Sequence, residues 1–178
     1  MLKKILTALV VVVGVLVVVV AMQPSEFRVT RTAALSAPAS AIFAQVNDLH
    51  NWRAWDPWAK LDPASKESFE GPSAGVGAIC RWAGNKEVGE GSMTILESKP
   101  DELIRIKLEF LKPFKATNTT EFTFVPQGDQ TEVTWSMFGS RNFMCKAVGL
   151  VMNCEKMVGP QFEKGLANLK SMTETPKV

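Results

Sequence analysis

The sequence predicts an α+β domain in which a meandering antiparallel sheet with one apolar face is covered by a C-terminal helix, the whole preceded by one N-terminal transmembrane helix. Three patterns predict it. An uncharged apolar run fills residues 5–22. Period-two alternation recurs between short turns from residue 66 to residue 139. Helical spacing then takes over from residue 143 onward.

Residues 1–22 stand apart. From Ile5 to Met22 the chain reads ILTALVVVVGVLVVVVAM, with no charge and only Thr7 and Gly14 breaking the apolar run. As a helix this run reaches roughly 27 Å, close to the ~30 Å hydrocarbon core of a bilayer. A cleaved signal peptide ending at Val19-Val20-Ala21 is the alternative, but the apolar region of a signal is usually about 7–15 residues. An uncleaved anchor is therefore the expectation. Lys3 and Lys4 keep the short N-terminus cytoplasmic under the positive-inside rule and place the domain outside, in the periplasm of a Gram-negative cell. Anchor or signal, the domain is exported.

Gln23 to Glu26 form a polar joint, residues 27–173 the domain, and 174–178 a tail. FRVTRTAALSA (27–37) alternates as a first strand, and Pro38 is placed to start a helix carrying Ile42, Phe43 and Val46 on one face. Asn47-Asp48 ends that helix. Beyond Pro63 come KESFEG, AICRWAG, VGEGSMTILES, ELIRIKLEFL, KATNTTEFTFV and TEVTWSMFG, most of them joined by turns short enough for hairpins. Ile104, Ile106, Leu108 and Phe110 share one face of their strand; Arg105, Lys107 and Glu109 share the other. FMCKAVGLVMNCEKMV (143–158) reads as a helix, Gly159-Pro160 as its break, and QFEKGLANLKSM (161–172) as a second helix with Phe162, Leu166 and Leu169 in one stripe.

Composition excludes several classes of function. Lys3 and Lys4 account for the whole net charge of +2, so the domain has no overall field to draw nucleic acid, and no nucleic-acid partner is expected. Cys80, Cys145 and Cys154 show no CxxC spacing, and the last two would stand roughly 13 Å apart along a helix, too far for a disulfide. They read as small buried hydrophobes. With one histidine in 178 residues, no metal-ligand spacing exists, and no metal or other cofactor is expected.

The segments PSEFRVTRTAALSAPASAIFAQVNDLHNWRAWDPW, GPSAGVGAICRWAGNKEVGEGSMTI, FLKPFKATNTTEFTF, TEVTWSM and MVGPQFEKGLANLK, in this order, resemble the START-like or SRPBCC superfamily, the helix-grip fold. Within it they look like the polyketide cyclase/dehydrase-like branch of membrane-anchored bacterial proteins. The resemblance implies a curved antiparallel sheet wrapped around a long C-terminal helix, with a cavity between them. It implies small apolar ligands in some members and cyclase chemistry in others.

Alternation points Asn118, Thr120, Phe122 and Phe124 inward, and likewise Val133, Trp135 and Met137. Cys80 and Trp82 take the same side, because burying Arg81 unpaired is costly. The resulting wall of Trp82, Ile106, Leu108, Phe110, Asn118, Thr120, Phe122, Trp135 and Met137 has the composition of a small-molecule pocket, and equally that of a plain core. The resemblance favours the pocket, with a lipid- or polyketide-like molecule as the partner. In NDLHNWRAWDPW (47–58), Trp52, Trp55 and Trp58 are three apart and suit a helical corner clamped on the sheet, with a stacking platform as the alternative. His50 reads as a capping or solvated residue, Asp56 as a turn former before Pro57, and Glu90 as a rim charge unless a bulge turns it inward. With no tyrosine and one histidine, no catalytic residue is assigned and the enzyme reading is disfavoured. An enzyme using Glu90 or His50, and a protein-interaction module using the tryptophan corner or residues 143–152, remain the alternatives.

Overall fold

The computed structural model describes residues 1–141, 143–150 and 154–174. Helix α1 (Leu2–Ala21) is built from the apolar run. Its mean hydropathy is 2.9 over Lys3–Ala21, long and apolar enough to cross a membrane. Protein covers little of it apart from Val20 in the last turn. A membrane span and a signal sequence share this length and composition.

Strand β1 (Glu26–Leu35) leads into α2 (Ala39–Asn47), capped by an extended Pro38 and burying Ala39, Ile42, Phe43 and Val46. The chain leaves α2 through the extended Asp48, whose carboxylate accepts from the His50 N–H. The one-turn helix α3 (Trp52–Trp55) follows. Six strands then meander: β2 (Lys66–Glu70), β3 (Ile79–Ala83), β4 (Glu90–Lys99), β5 (Leu103–Lys112), β6 (Ala116–Gln127) and β7 (Gln130–Ser140). All neighbours pair antiparallel in the order β1-β7-β6-β5-β4-β3-β2, so β1 closes beside β7. Helices α4 (Phe143–Gly149) and α5 (Cys154–Thr173) complete the chain.

The expected alternation is present. Ile104, Ile106, Phe122, Phe124, Val133 and Trp135 are buried on the inner face. On the outer face Arg105 lies between Glu97 and Glu121, and Lys107 pairs with Glu109. Such surface charge pairs, within and between strands, keep that side wet while adding only tenths of a kcal/mol each. Helix α5 lies over β1 and β7 and buries Phe162, Leu166 and Leu169 beneath it. At about 1.5–3 kcal/mol per fully buried large side chain, this stripe holds the helix on the sheet.

Two helical expectations are corrected. Helix 143–158 is not continuous, because α4 ends at Gly149, a poor helix former, and α5 begins at Cys154. Val151 and Met152, part of the apolar stretch 143–152, lie outside the described residues. Nor does Gly159-Pro160 break the helix: α5 runs through both. The reason is Arg31, which β1 points inward onto the helix. Its guanidinium bonds Glu155 one turn before Gly159 and Glu163 one turn after, each at 2.6 Å. It rests directly on Gly159, where a Cβ would collide with it. These tertiary bonds span the turn that proline weakens by lacking an N–H.

Candidate functional site on the concave face

Trp135 stands at the centre of the inner face, with Phe122 stacked on one side at 4.8 Å and Phe162 of α5 on the other at 4.0 Å. Trp52, Trp55 and Trp58 meet this stack edge-on at 5.6–6.3 Å from Trp135. Such offset and edge contacts are the favoured aromatic geometries, worth about 0.5–1.5 kcal/mol per pair beyond area burial. The Trp135 indole donates to Thr120 Oγ1 at 2.9 Å, and Thr120 donates to the Ser136 carbonyl at 3.0 Å. Trp52 donates to the Val46 carbonyl at 2.8 Å, and Asn168 of α5 donates to that of Trp55 at 2.9 Å. The tryptophan corner is therefore a clamp between helix and sheet. Of the nine predicted wall residues, Ile106, Thr120, Phe122 and Trp135 are packed into this filled centre; the expected void beside them is occupied by rings.

The remaining five lie toward the end of the sheet where β1 starts and β7 finishes. Met137 is buried, while Leu108, Phe110 and Trp82 are only half-buried although they face inward. Met93, opposite both Leu108 and Cys80, joins them. Trp82 lies flat over Gly91, where any Cβ would strike its ring, and meets Phe110 edge-on at 5.9 Å. These side chains form an apolar ledge beside the filled centre. Asn118, 9% exposed, sits in its floor with its amide oxygen over Gly139. Among the described residues its side chain has no hydrogen-bond partner. Among the described residues the enclosed polar atom without a partner is Trp55 Nε1, so the Asn118 amide is still reached by solvent, and a polar group on a ligand would take the place of that water. Two depressions of about 500 Å³ are present, one at this same end of the sheet at Glu26–Arg28 and Phe138–Ser140, the other at the opposite end around Ser36–Ser40 and Gly128–Thr131.

The acid–base candidates sit at opposite ends of the sheet. His50 bonds Asp48 at 2.7 Å and stacks on Phe69 at 4.0 Å. Glu90 bonds Lys112 at 2.7 Å on the rim. The register shift beside Gly91 leaves it there instead of turning it inward. Sequence reading missed a third group. Asp56 lies under the corner, and burial pushes its carboxyl up to about 7, against the opposing backbone N–H groups of Trp58 and Ala59. Glu67, inward on β2 and paired with Arg53 at 3.3 Å, adds to that shift. Burial likewise pushes the Cys80 thiol up to about 12, which makes it an inert packing group. The signal for Asp56, a carboxylate wedged between Trp55 and Pro57, was present in the sequence. Its covering comes from distant segments.

A seven-stranded curved antiparallel sheet, an apolar concave face and a long C-terminal helix across it define the helix-grip class. A family model described as "Polyketide cyclase / dehydrase and lipid transport" matches residues 26–174, and the chain belongs to that family. None of the curated proteins compared with it matches. Solved structures share the fold at low identity. Protein CV1439 from Chromobacterium violaceum is 18% identical with a TM-score of 0.60, covering 86% of this chain and 99% of its own. The di-domain ARO/CYC BexL of the BE-7585A biosynthetic pathway is 17% identical with a TM-score of 0.63, over 90% of this chain and 54% of its own. The major latex-like protein 151 of Panax ginseng is 10% identical with a TM-score of 0.59, over 85% of this chain and 100% of its own. At these identities the likeness is one of fold.

Proposed function

We propose that the chain is a membrane-tethered SRPBCC-type domain that holds a small hydrophobic, lipid- or polyketide-like molecule against the concave face without transforming it. The observation that carries this reading is the half-buried ledge of Trp82, Met93, Leu108 and Phe110 around the unpartnered amide of Asn118. An apolar surface with one convergent polar group is how a site orients an amphipathic ligand. The family's link to cyclases and to lipid transport agrees with such a ligand. Non-catalytic holding is favoured because His50 and Glu90 are engaged by neighbours far from each other, while Asp56 is enclosed beneath the tryptophan corner. The ligand residues proposed are Trp82, Leu108, Phe110, Asn118 and Met137. Ile106, Thr120, Phe122 and Trp135 act as the wall behind them. The apolar helix α1, inserted as an uncleaved anchor with the domain on the periplasmic side, supplies the tether.

The test is uptake of a fluorescent fatty acid by the full chain in nanodiscs. Asn118→Trp fills the ledge and should weaken uptake by about tenfold or more, equivalent to about 1.4 kcal/mol. Asn118→Ala, which keeps the space, should weaken the fatty acid but leave an uncharged hydrocarbon probe unchanged. Uptake indifferent to both variants contradicts this placement.

A further inference from the structure

The ledge opens at the end of the sheet where α1 joins the domain. Four residues separate α1 from β1. Helix α4 packs on α1, and Lys146 reaches Ser25 Oγ at 3.0 Å and the Ala21 carbonyl at 3.5 Å. The two most exposed phenylalanines among the described residues are here, Phe114 at 61% in the β5–β6 turn and Phe143 at 52% on α4. Leu111, near the end of β5, and Leu150, just past α4, are exposed beside them.

Charge divides the two ends. The far-end connections, residues 36–38, 71–78, 100–102 and 128–129, carry Asp101, Glu102 and Asp129 and no basic residue. At the α1 end, residues 84–89, 113–115 and 141 together with α4 carry Lys86, Lys115, Arg141 and Lys146 against Glu87 alone. The adjoining loop 59–65 adds Lys60 and Asp62, which cancel. Exposed aromatic side chains among cations are the make-up of a surface that settles into a headgroup layer. A net basic face is attracted to anionic lipid within a Debye length.

We propose that this end of the domain docks on the surface of the bilayer that α1 enters, with Leu111, Phe114 and Phe143 dipping into the headgroup boundary and Lys86 and Lys115 facing anionic phosphates. This rests on the anchor reading of α1. The ledge then opens toward lipid, and its ligand enters from the membrane instead of from water.

The test places p-benzoylphenylalanine, one position at a time, at Phe114, Phe143, Val76 and Val12 of the full chain. Each form is reconstituted into phosphatidylcholine vesicles containing phosphatidylglycerol, illuminated, and the lipid adducts are measured by mass spectrometry. Val76, equally exposed at the far end, and Val12, within α1, are the references. Adducts at 12, 114 and 143, several-fold above those at 76, are the expected result. Adducts at 12 alone overturn docking and leave the anchor intact. No adduct at 12 overturns the anchor and docking together. Equal yields at 114 and 76 overturn the assignment of this end as the docking face.

Discussion

At the scale of single residues, polar atoms within the core decide how firmly the aromatic centre is set. Thr120 Oγ1 accepts from the Trp135 indole while donating to the Ser136 carbonyl, so one hydroxyl satisfies two buried polar groups of β7. Thr120→Val preserves the shape but strands the indole N–H, and chemical denaturation should show a loss of about 1–3 kcal/mol. An unchanged midpoint would mean that the ring stack alone holds Trp135. Asp56 gives a second prediction, in pH. Its folded carboxyl, at about 7, lies above the ordinary value of 3.8. Between those values the folded chain keeps a proton that the unfolded chain has shed, so stability falls as pH rises through the window and levels above it. Glu70, Glu97 and Glu174 are shifted the opposite way, so their stability is lost as pH falls below the usual carboxylate range. Asp56→Asn can still accept from Trp58. It should flatten the decline in melting temperature between about pH 5 and 8, and a decline of unaltered slope would assign it to other groups.

At the scale of elements, α5 shows which information the sequence carried openly and which it did not. The Phe162, Leu166 and Leu169 stripe is periodic and was readable, as were the six alternating strands, because both patterns are local. Continuity through Gly159-Pro160 was not readable, because it depends on an arginine more than a hundred residues earlier. The inward direction of Arg31 follows from its place in step with Val29 and Ala33 on β1. Its two glutamate partners, however, become neighbours only when the helix docks. Gly159→Leu should expel the guanidinium and cost about 1–3 kcal/mol by thermal or chemical melting, as overpacking does elsewhere. The same change at the exposed Ala167 should be nearly neutral. Equal effects at both positions would remove the special role of Gly159. The site divides in the same manner. Alternation named the inner-face residues correctly, but it could not tell which of them other rings would cover. Phe162 and the three tryptophans come from remote segments and fill the centre, leaving Trp82, Leu108 and Phe110 at the α1 end less covered.

At the scale of the whole molecule, the domain has two unlike ends. One is closed by α2 and the end of α5, with acidic turns. The other carries α1, α4, the half-buried ledge and the basic turns. This polarity ties the proposed ligand surface to the proposed membrane attachment in one chain. The apolar helix is the feature that brings them together. The most direct measurement is native mass spectrometry of the full chain extracted in detergent, for the native sequence and for Asn118→Trp. The account predicts that the native chain carries the added mass of a small apolar molecule and that the variant travels bare. A native chain at its bare mass, or both forms carrying the same molecule, would contradict the claim that the ledge beside Asn118 is where a ligand is held.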